Sequence, residues 1–259
     1  MKVVILAGGY GTRISEESQY RPKPMVEVGG SPILWHIMKI YSSFGYHDFI
    51  ICLGYKGYYI KDYFEHYLLH SSDVTYDFAS ATPRSIHSPK AEPWRVTLVD
   101  TGLETQTGGR LRRVREYLGD ETFMLTYGDG VSTVDIHALV DYHQSHGKAV
   151  TVTAALPKAR FGALDMDEVG QVFEFKEKPQ GMDGWVSAGF FVMNTEIFDF
   201  LQSDDTLLEQ EPLAALARAG ELMAYRHSGF WQPMDTLRDK QYLDELWATG
   251  RAEWKRWNP

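Results

Sequence analysis

A strand predicted over residues 2–6 runs without a break into Ala7-Gly8-Gly9-Tyr10-Gly11-Thr12-Arg13, with Lys23 and Pro24 following within about ten residues. A strand that feeds a glycine-rich turn commits the chain to an α/β sheet with an anion-holding loop at the strand's end. Glycines lack a Cβ, so backbone N–H groups can converge on phosphate oxygens, while Arg13 and Lys23 can supply countercharge to a departing pyrophosphate. Neither common phosphate loop is present. A Walker A loop needs Gly-x-x-x-x-Gly-Lys-Ser/Thr and a dinucleotide fingerprint needs Gly-x-Gly-x-x-Gly, whereas the order here is Gly8, Gly9, Gly11.

A length of 259 residues suffices for one substantial α/β domain with a modest appendage, so a single domain over 1–259 is expected. The formal charge of −9 argues against broad nucleic-acid binding, which needs a cationic footprint, but leaves room for a local anion site. Cys52 is the one cysteine and lies inside the apolar run Phe49–Leu53, as a buried strand residue in a reducing compartment would. The opening apolar run stops at Gly8, too early for a signal peptide, and no stretch is long enough to span a bilayer. Cytoplasmic residence without membrane contact is the expectation. In Arg110-Leu111-Arg112-Arg113-Val114-Arg115 most arginines read as a solvated helical face, Arg110 excepted for its place at the helix start.

Along the chain, Ser31 and Pro32 read as N-cap and first turn of a helix bearing Ile33, Ile37, Ile40, Tyr41 and Phe44, stopped by Gly45. A strand over 49–53 precedes a helix with Ile60, Tyr63, Phe64, Tyr67 and Leu68 at helical spacing, its aromatics read as core. This alternation predicts a parallel sheet covered by helices. Residues 75–90 show no periodicity and read as an active-site excursion or subunit-contact loop. Strands are expected over 95–99, 122–127, 149–156 and 222–227, with a turn at Thr107-Gly108-Gly109 before the arginine-bearing helix. Further helices are expected over 134–146, 207–218 and 236–247, and shorter strands over 162–165, 171–175 and 185–193, as in a mixed sheet or a small sugar-binding extension.

Asp129 and Asp235 each follow an apolar segment that could aim them into one cleft, and paired carboxylates suit magnesium when phosphate oxygens and water complete the octahedron. Alternatively Asp129 is a turn residue between glycines and Asp235 a helix N-cap. His36, His66, His70, His137, His143, His146 and His227 form no metal-ligand pattern, which disfavours a zinc hydrolase.

The motifs resemble those of the sugar-1-phosphate nucleotidylyltransferases over nearly the whole chain. Leu6–Arg13, Arg21-Pro22-Lys23-Pro24-Met25 and Glu177-Lys178-Pro179 fit the wider family. Asp100-Thr101-Gly102, Thr107-Gly108-Gly109-Arg110, Thr126–Gly130 and Gly229–Thr236 look like the glucose-1-phosphate cytidylyltransferase branch. Uridylyl and thymidylyl relatives carry a Gln-Pro-x-Gly pattern where this chain has Thr107–Arg110. The resemblance implies a Rossmann-like α/β nucleotidyltransferase fold with a mixed, mainly parallel central sheet and a small sugar-binding extension, residues from about 157 to 235 supplying the sugar-phosphate side. It implies Mg2+ between Asp129 and Asp235, and a triphosphate over Leu6, Ala7, Gly8, Gly9, Tyr10, Gly11 and Thr12, near Arg13 and Lys23. Arg110 would contact the nucleotide, with Gly8, Thr107 and Gly128 shaping its pocket; Lys178 would lie at the sugar phosphate and Glu177 at the sugar ring.

The reaction so implied takes CTP and glucose 1-phosphate to CDP-glucose and pyrophosphate, in a homo-oligomeric enzyme serving dideoxyhexose synthesis for lipopolysaccharide O-antigen. One segment departs from the pattern: Ser187-Ala188-Gly189-Phe190-Phe191 stands where the branch has Asn-Gly-Gly-Phe-Phe. Serine is shorter than asparagine and lacks its paired donor and acceptor, so a different hexose 1-phosphate is a second candidate acceptor. The motifs also leave open uridylyl or thymidylyl transfer, and nucleotide sensing without turnover.

Overall fold

The computed structural model describes residues 1–80, 84–87, 91–157, 163–166, 172–176 and 184–257. Seven strands form the central sheet: β1 (Val3–Leu6), β2 (Asp48–Leu53), β3 (Arg95–Asp100), β4 (Phe123–Tyr127), β5 (Val150–Ala155), β6 (Val186–Met193) and β7 (Leu222–His227), in the order β7-β5-β6-β4-β1-β2-β3. β1 pairs in parallel with β2 and β4, β2 with β3, and β5 with β7; β6 alone runs against its neighbours β4 and β5. The parallel pairing expected from the alternation of strands and helices is present, and so is the mixed, mainly parallel sheet that the resemblance implies.

The inner strands β1 and β2 are apolar on both faces, as a sheet covered on both sides requires. Val3 and Ile5 of β1, with Phe49, Ile51 and Leu53 of β2, join one buried cluster, while Val4 and Leu6, with Ile50 and Cys52, join another. The first cluster packs against α1 (Ile33–Ser42), α2 (Gly57–His70), α4 (Ile136–His146) and α6 (Leu237–Ala248); the second packs against α3 (Thr107–Arg113), the segment 197–208 and α5 (Glu211–Arg218). Each fully buried Val, Leu, Ile or Phe contributes ~1.5–3 kcal/mol, so this two-sided burial is what holds the sheet against its helices. Cys52 is wholly buried and its thiol is pushed up to about 12 by that burial, which leaves it a core side chain.

Several local expectations are corrected by the structure. Pro32, not Ser31, is the N-cap of α1, because Ser31–Pro32 pairs as a short strand with Glu27–Val28. In α2 only Gly57 and Ile60 are buried; Tyr63 and Phe64 pack against the core's margin and Leu68 is exposed. The segment 75–90, which shows no periodicity in the sequence, takes part in an antiparallel strand pair, Asp73–Tyr76 with Arg84–His87. Thr107-Gly108-Gly109 is not a turn before a helix but the first turn of α3 itself. α5 begins at Glu211, four positions after the expected start at Leu207, with Pro212 in its first turn.

The chain's later part closes on α1 through a nest of indoles. Wholly buried His36 donates from Nε2 to the Val28 carbonyl at 2.8 Å and accepts at Nδ1 from Trp254 Nε1 at 3.4 Å. Burial pushes the imidazole down to about 4, so the ring is neutral, as its acceptor role at Nδ1 requires.

Candidate active site

Parallel strands all deliver their carboxyl ends to one edge, and the reversed strand β6 delivers its beginning there. The loop after β1, Gly54 after β2, Thr101 after β3, Gly128-Asp129 after β4 and Ser187 at the start of β6 accordingly gather at that edge. Gly11 adopts φ 66°, which L side chains rarely adopt, and caps the turn Thr12–Ile14. Among the described residues the N–H groups of Gly9, Tyr10 and Gly11 have no acceptor, so they remain available to an anion.

Arg110 is the wire that ties these loops together. It is only 5% exposed, and its guanidinium donates to the carbonyls of Leu53 (3.0 Å), Gly102 (2.7 Å), Gly8 (3.1 Å) and Leu103 (3.1 Å) and to Thr101 Oγ1 (2.8 Å). Its flat head occupies the space that side chains at Gly8 and Gly54 would need: a Cβ on Gly8 would lie 2.2 Å from Nη1, and one on Gly54 2.5 Å from it. α3 can present Arg110 this way because Gly108 and Gly109 let the backbone at Thr206 and Asp204 approach, with Gly108 N–H donating to the Thr206 carbonyl at 2.9 Å.

Asp129 and Asp235 are far apart in sequence and are brought together by a two-stranded ribbon. Gly130–Ser132 pairs antiparallel with Trp231–Pro233, Gly130 opposite Pro233, and Met234 N–H donates to the Asp129 carbonyl at 2.8 Å. The residue after Asp235, Thr236, then caps α6 in a capping box with Asp239, whose Oδ2 also accepts from Asp235 N–H at 3.1 Å. Between the carboxylates lies Lys23, 8% exposed, its Nζ 2.6 Å from Asp129 Oδ2 and 2.7 Å from Asp235 Oδ1. Arg13 Nη1 reaches the other oxygen of Asp235 at 2.6 Å. Two carboxylates converging on one cation are a hard-oxygen donor set of the kind magnesium takes, completed by phosphate oxygens and water. Among the described residues no cluster of three or more His, Cys, Asp or Glu forms a metal cage.

Two cavities meet at Arg13, Tyr127 and Asp129. One, of about 380 Å³, is lined by Leu6–Arg13, Lys23, Pro24, residues 103–107, Arg110 and Gly128; the other, of about 410 Å³, by Ser187–Phe190, Glu209, Trp231, Pro233 and Asp235. Leu6, Ala7, Gly8, Gly9, Tyr10, Gly11, Thr12, Lys23, Thr107, Arg110 and Gly128 thus fall together, and Ser187 is on the neighbouring wall. Glu177 and Lys178 lie outside the described residues. Sequence reading missed Tyr127 and Glu209. The Glu209 carboxylate accepts from the Tyr127 hydroxyl at Oε1 and from Thr107 Oγ1 at 2.6 Å at Oε2. Burial, and then the Glu209 charge, push the Tyr127 phenol well above its ordinary range, so it stays a donor. Tyr127 adjoins the Gly128-Asp129 motif and could have been noticed; Glu209, in an unremarkable polar stretch, carried no local signal.

The sequence matches the family described as Nucleotidyl transferase over residues 2–232. It is 59% identical over 258 residues to a glucose-1-phosphate cytidylyltransferase from Salmonella typhi, covering 99% of this chain and 100% of that protein. A probable glucose-1-phosphate cytidylyltransferase from Bacillus subtilis is 44% identical over 258 residues, with 99% and 100% covered. Among solved structures, HddC from Yersinia pseudotuberculosis superposes with a TM-score of 0.69 at 24% identity, covering 95% of this chain and 99% of that one. UDP-glucose pyrophosphorylase complexed with UDP-glucose superposes with a TM-score of 0.68 at 15% identity, covering 96% and 99%. At these identities the two structures speak for the fold alone.

Proposed function

The chain belongs to the nucleotidyl transferase family and, within it, to the glucose-1-phosphate cytidylyltransferase group, and from that premise we propose that it transfers a cytidylyl group from CTP to α-D-glucose 1-phosphate, giving CDP-glucose and pyrophosphate. One observation carries the reading: Asp129 and Asp235 converge on a single cation where two cavities meet, one under the glycine-rich loop and one beside Ser187. The first cavity takes the nucleotide and the second the acceptor sugar.

In this reading an oxygen of the sugar phosphate forms a bond to the α-phosphorus of CTP. The bond from that phosphorus to the oxygen bridging toward the β-phosphorus breaks, and its electron pair leaves with pyrophosphate. A phosphate monoester is already an anionic nucleophile, so the protein's part is alignment and charge screening. The free N–H groups of Gly9, Tyr10 and Gly11 donate to the triphosphate, and Gly8, Thr107 and Gly128 shape the base pocket. Arg13 and Lys23 carry the leaving pyrophosphate, Lys178 orients the attacking phosphate, and Glu177 holds the sugar ring. Asp129 and Asp235 hold magnesium, which when bound draws charge from the nucleotide phosphates and lessens repulsion between two anionic substrates. The enzyme works as a cytoplasmic homo-oligomer folded as one domain, and its product feeds dideoxyhexose synthesis for lipopolysaccharide O-antigen. No described helix is long and apolar enough to cross a membrane.

Ser187 and Ala188 favour one second reading, another hexose 1-phosphate as acceptor, because Ser187 is exposed on the acceptor wall and cannot reproduce an asparagine's paired contacts. Pyrophosphate release, measured with magnesium over CTP, UTP, dTTP, ATP and GTP against a panel of hexose 1-phosphates, decides. Release confined to CTP and glucose 1-phosphate is expected. Preference for another sugar would make Ser187 and Ala188 specificity determinants, and silence in every pairing would leave a nucleotide-binding protein without turnover.

A further inference from the structure

Of the carboxylates that line the acceptor cavity, Asp129 and Asp235 are neutralised by Lys23 and Arg13. Glu209 is not: among the described residues no cation pairs with it, and its two partners are the neutral hydroxyls of Tyr127 and Thr107, one on each oxygen. A carboxylate offers about four lone-pair sites and two are used here, which leaves one further acceptor position on each oxygen. The Glu209 side chain is also pinned. Thr107 Oγ1, which donates to it, accepts in turn from Leu208 N–H at 2.9 Å. Tyr127 cannot swing away, because its ring lies against Gly189, where an added Cβ would come within 2.4 Å of Cδ2, and edge-on to Phe191.

An anion with a spare acceptor on each oxygen and no described cation paired with it, fixed in the wall of the acceptor cavity, repels phosphate and suits two adjacent hydroxyls. We infer that Glu209 recognises a vicinal diol of the hexose ring, and so is a specificity-determining residue for the acceptor. Ribose presents the same diol chemistry, but Glu209 lines the cavity with Ser187 and Trp231 and is absent from the one under the glycine-rich loop. The role rests on the acceptor cavity being the sugar-phosphate side, as proposed above. It also offers a reason why Ser187 can be short: part of the orientation of the ring comes from the opposite chain segment.

The test uses Glu209→Gln, which keeps the shape but halves the acceptor capacity, with Tyr127→Phe as the control that removes one support and leaves the carboxylate. Hydrogen bonds to a charged group are worth ~1.5–3 kcal/mol, so KM for the sugar phosphate should rise about 10- to 100-fold in Glu209→Gln while KM for CTP moves by less than about 3-fold. With a deoxy hexose 1-phosphate lacking one contacted hydroxyl the gap between the wild type and Glu209→Gln should narrow, and with one lacking both it should close. Loss of the mutational effect with 2′- or 3′-deoxy-CTP instead would move the contact to ribose and overturn the assignment, as would a fall in kcat at unchanged KM. Calorimetric affinity for glucose 1-phosphate, taken with magnesium and a CTP analogue uncleavable between its α and β phosphates, needs no turnover. Weakened binding in Glu209→Gln beside a wild type that releases no pyrophosphate would sink the transfer reaction and leave Glu209 standing; equal binding beside normal turnover would do the reverse.

Discussion

Arg110 and Lys23 are buried cations in the lining of the same cavity, and they are held in opposite ways. Arg110 has five partners on its two Nη nitrogens, every one a neutral oxygen, so its position is fixed while its charge is left whole. Lys23 has two partners, both anionic, so its charge is cancelled while its third donor is spare. A cation fixed by dipoles can shape a pocket and lend it positive potential but cannot leave without orphaning the loops it joins. One fixed by carboxylates can be exchanged for another cation. The glycine-rich corner is thus a rigid mould, and the aspartate pair is a site whose occupant can change.

The largest test of this contrast lies on the exchangeable side. Asp129→Asn should lower turnover on the order of 10³-fold, the loss of several kcal/mol of charge stabilisation, with a melting temperature moved by less than about 4 °C. Pyrophosphate release across a magnesium series, paired with thermal unfolding, checks it; an unchanged rate at limiting magnesium would reject a ligand role. On the rigid side the cost should fall on folding. Arg110→Lys loses the planar fork, and among the described residues the Gly102 and Leu103 carbonyls have no other donor, whereas Gly8 and Leu53 keep Tyr55 N–H and Thr101; each buried acceptor left unpaired costs ~1–3 kcal/mol, so urea denaturation without nucleotide should show a loss of that order. Intact stability with CTP binding weakened more than about tenfold would instead make Arg110 a reader of the base. Gly8→Ala pushes a methyl into the fixed guanidinium and should cost about 2 kcal/mol by overpacking. A neutral result there would mean that Arg110 can shift, and the mould is softer than its hydrogen bonds suggest.

The two sides were also unequally legible in the sequence. Leu222–His227 is found where it was expected, and the strands at 49, 95 and 123 are within a residue of their expected ends; the inner two are written in apolar runs, Phe49–Leu53 and Phe123–Leu125, as buried strands are. Elements set by distant backbone were not. Gly108 and Gly109 looked like a turn, yet they are helical glycines made necessary by Thr206 and Asp204, about a hundred residues on. The same contacts hold 204–208 in irregular backbone and delay α5. Glu209 escaped for that reason too: its neighbours Tyr127 and Thr107 are assembled by the sheet, and nothing in its own surroundings announces them.

The ribbon of Gly130–Ser132 with Trp231–Pro233 has a consequence for how such an enzyme can vary. It is closed by Thr133 N–H donating to the Phe230 carbonyl at 2.9 Å, so the chain between those residues, which carries β5, β6 and β7, leaves and returns beside the aspartates. Lengthening a loop whose ends are already clamped is cheap, about 0.6 kcal/mol for each doubling. Turns on the acceptor side can therefore be redrawn, substitution by substitution or insertion by insertion, without the register of Asp129 against Asp235 ever being renegotiated: the chemistry is inherited as a fixed hinge pin, and the choice of sugar swings on it.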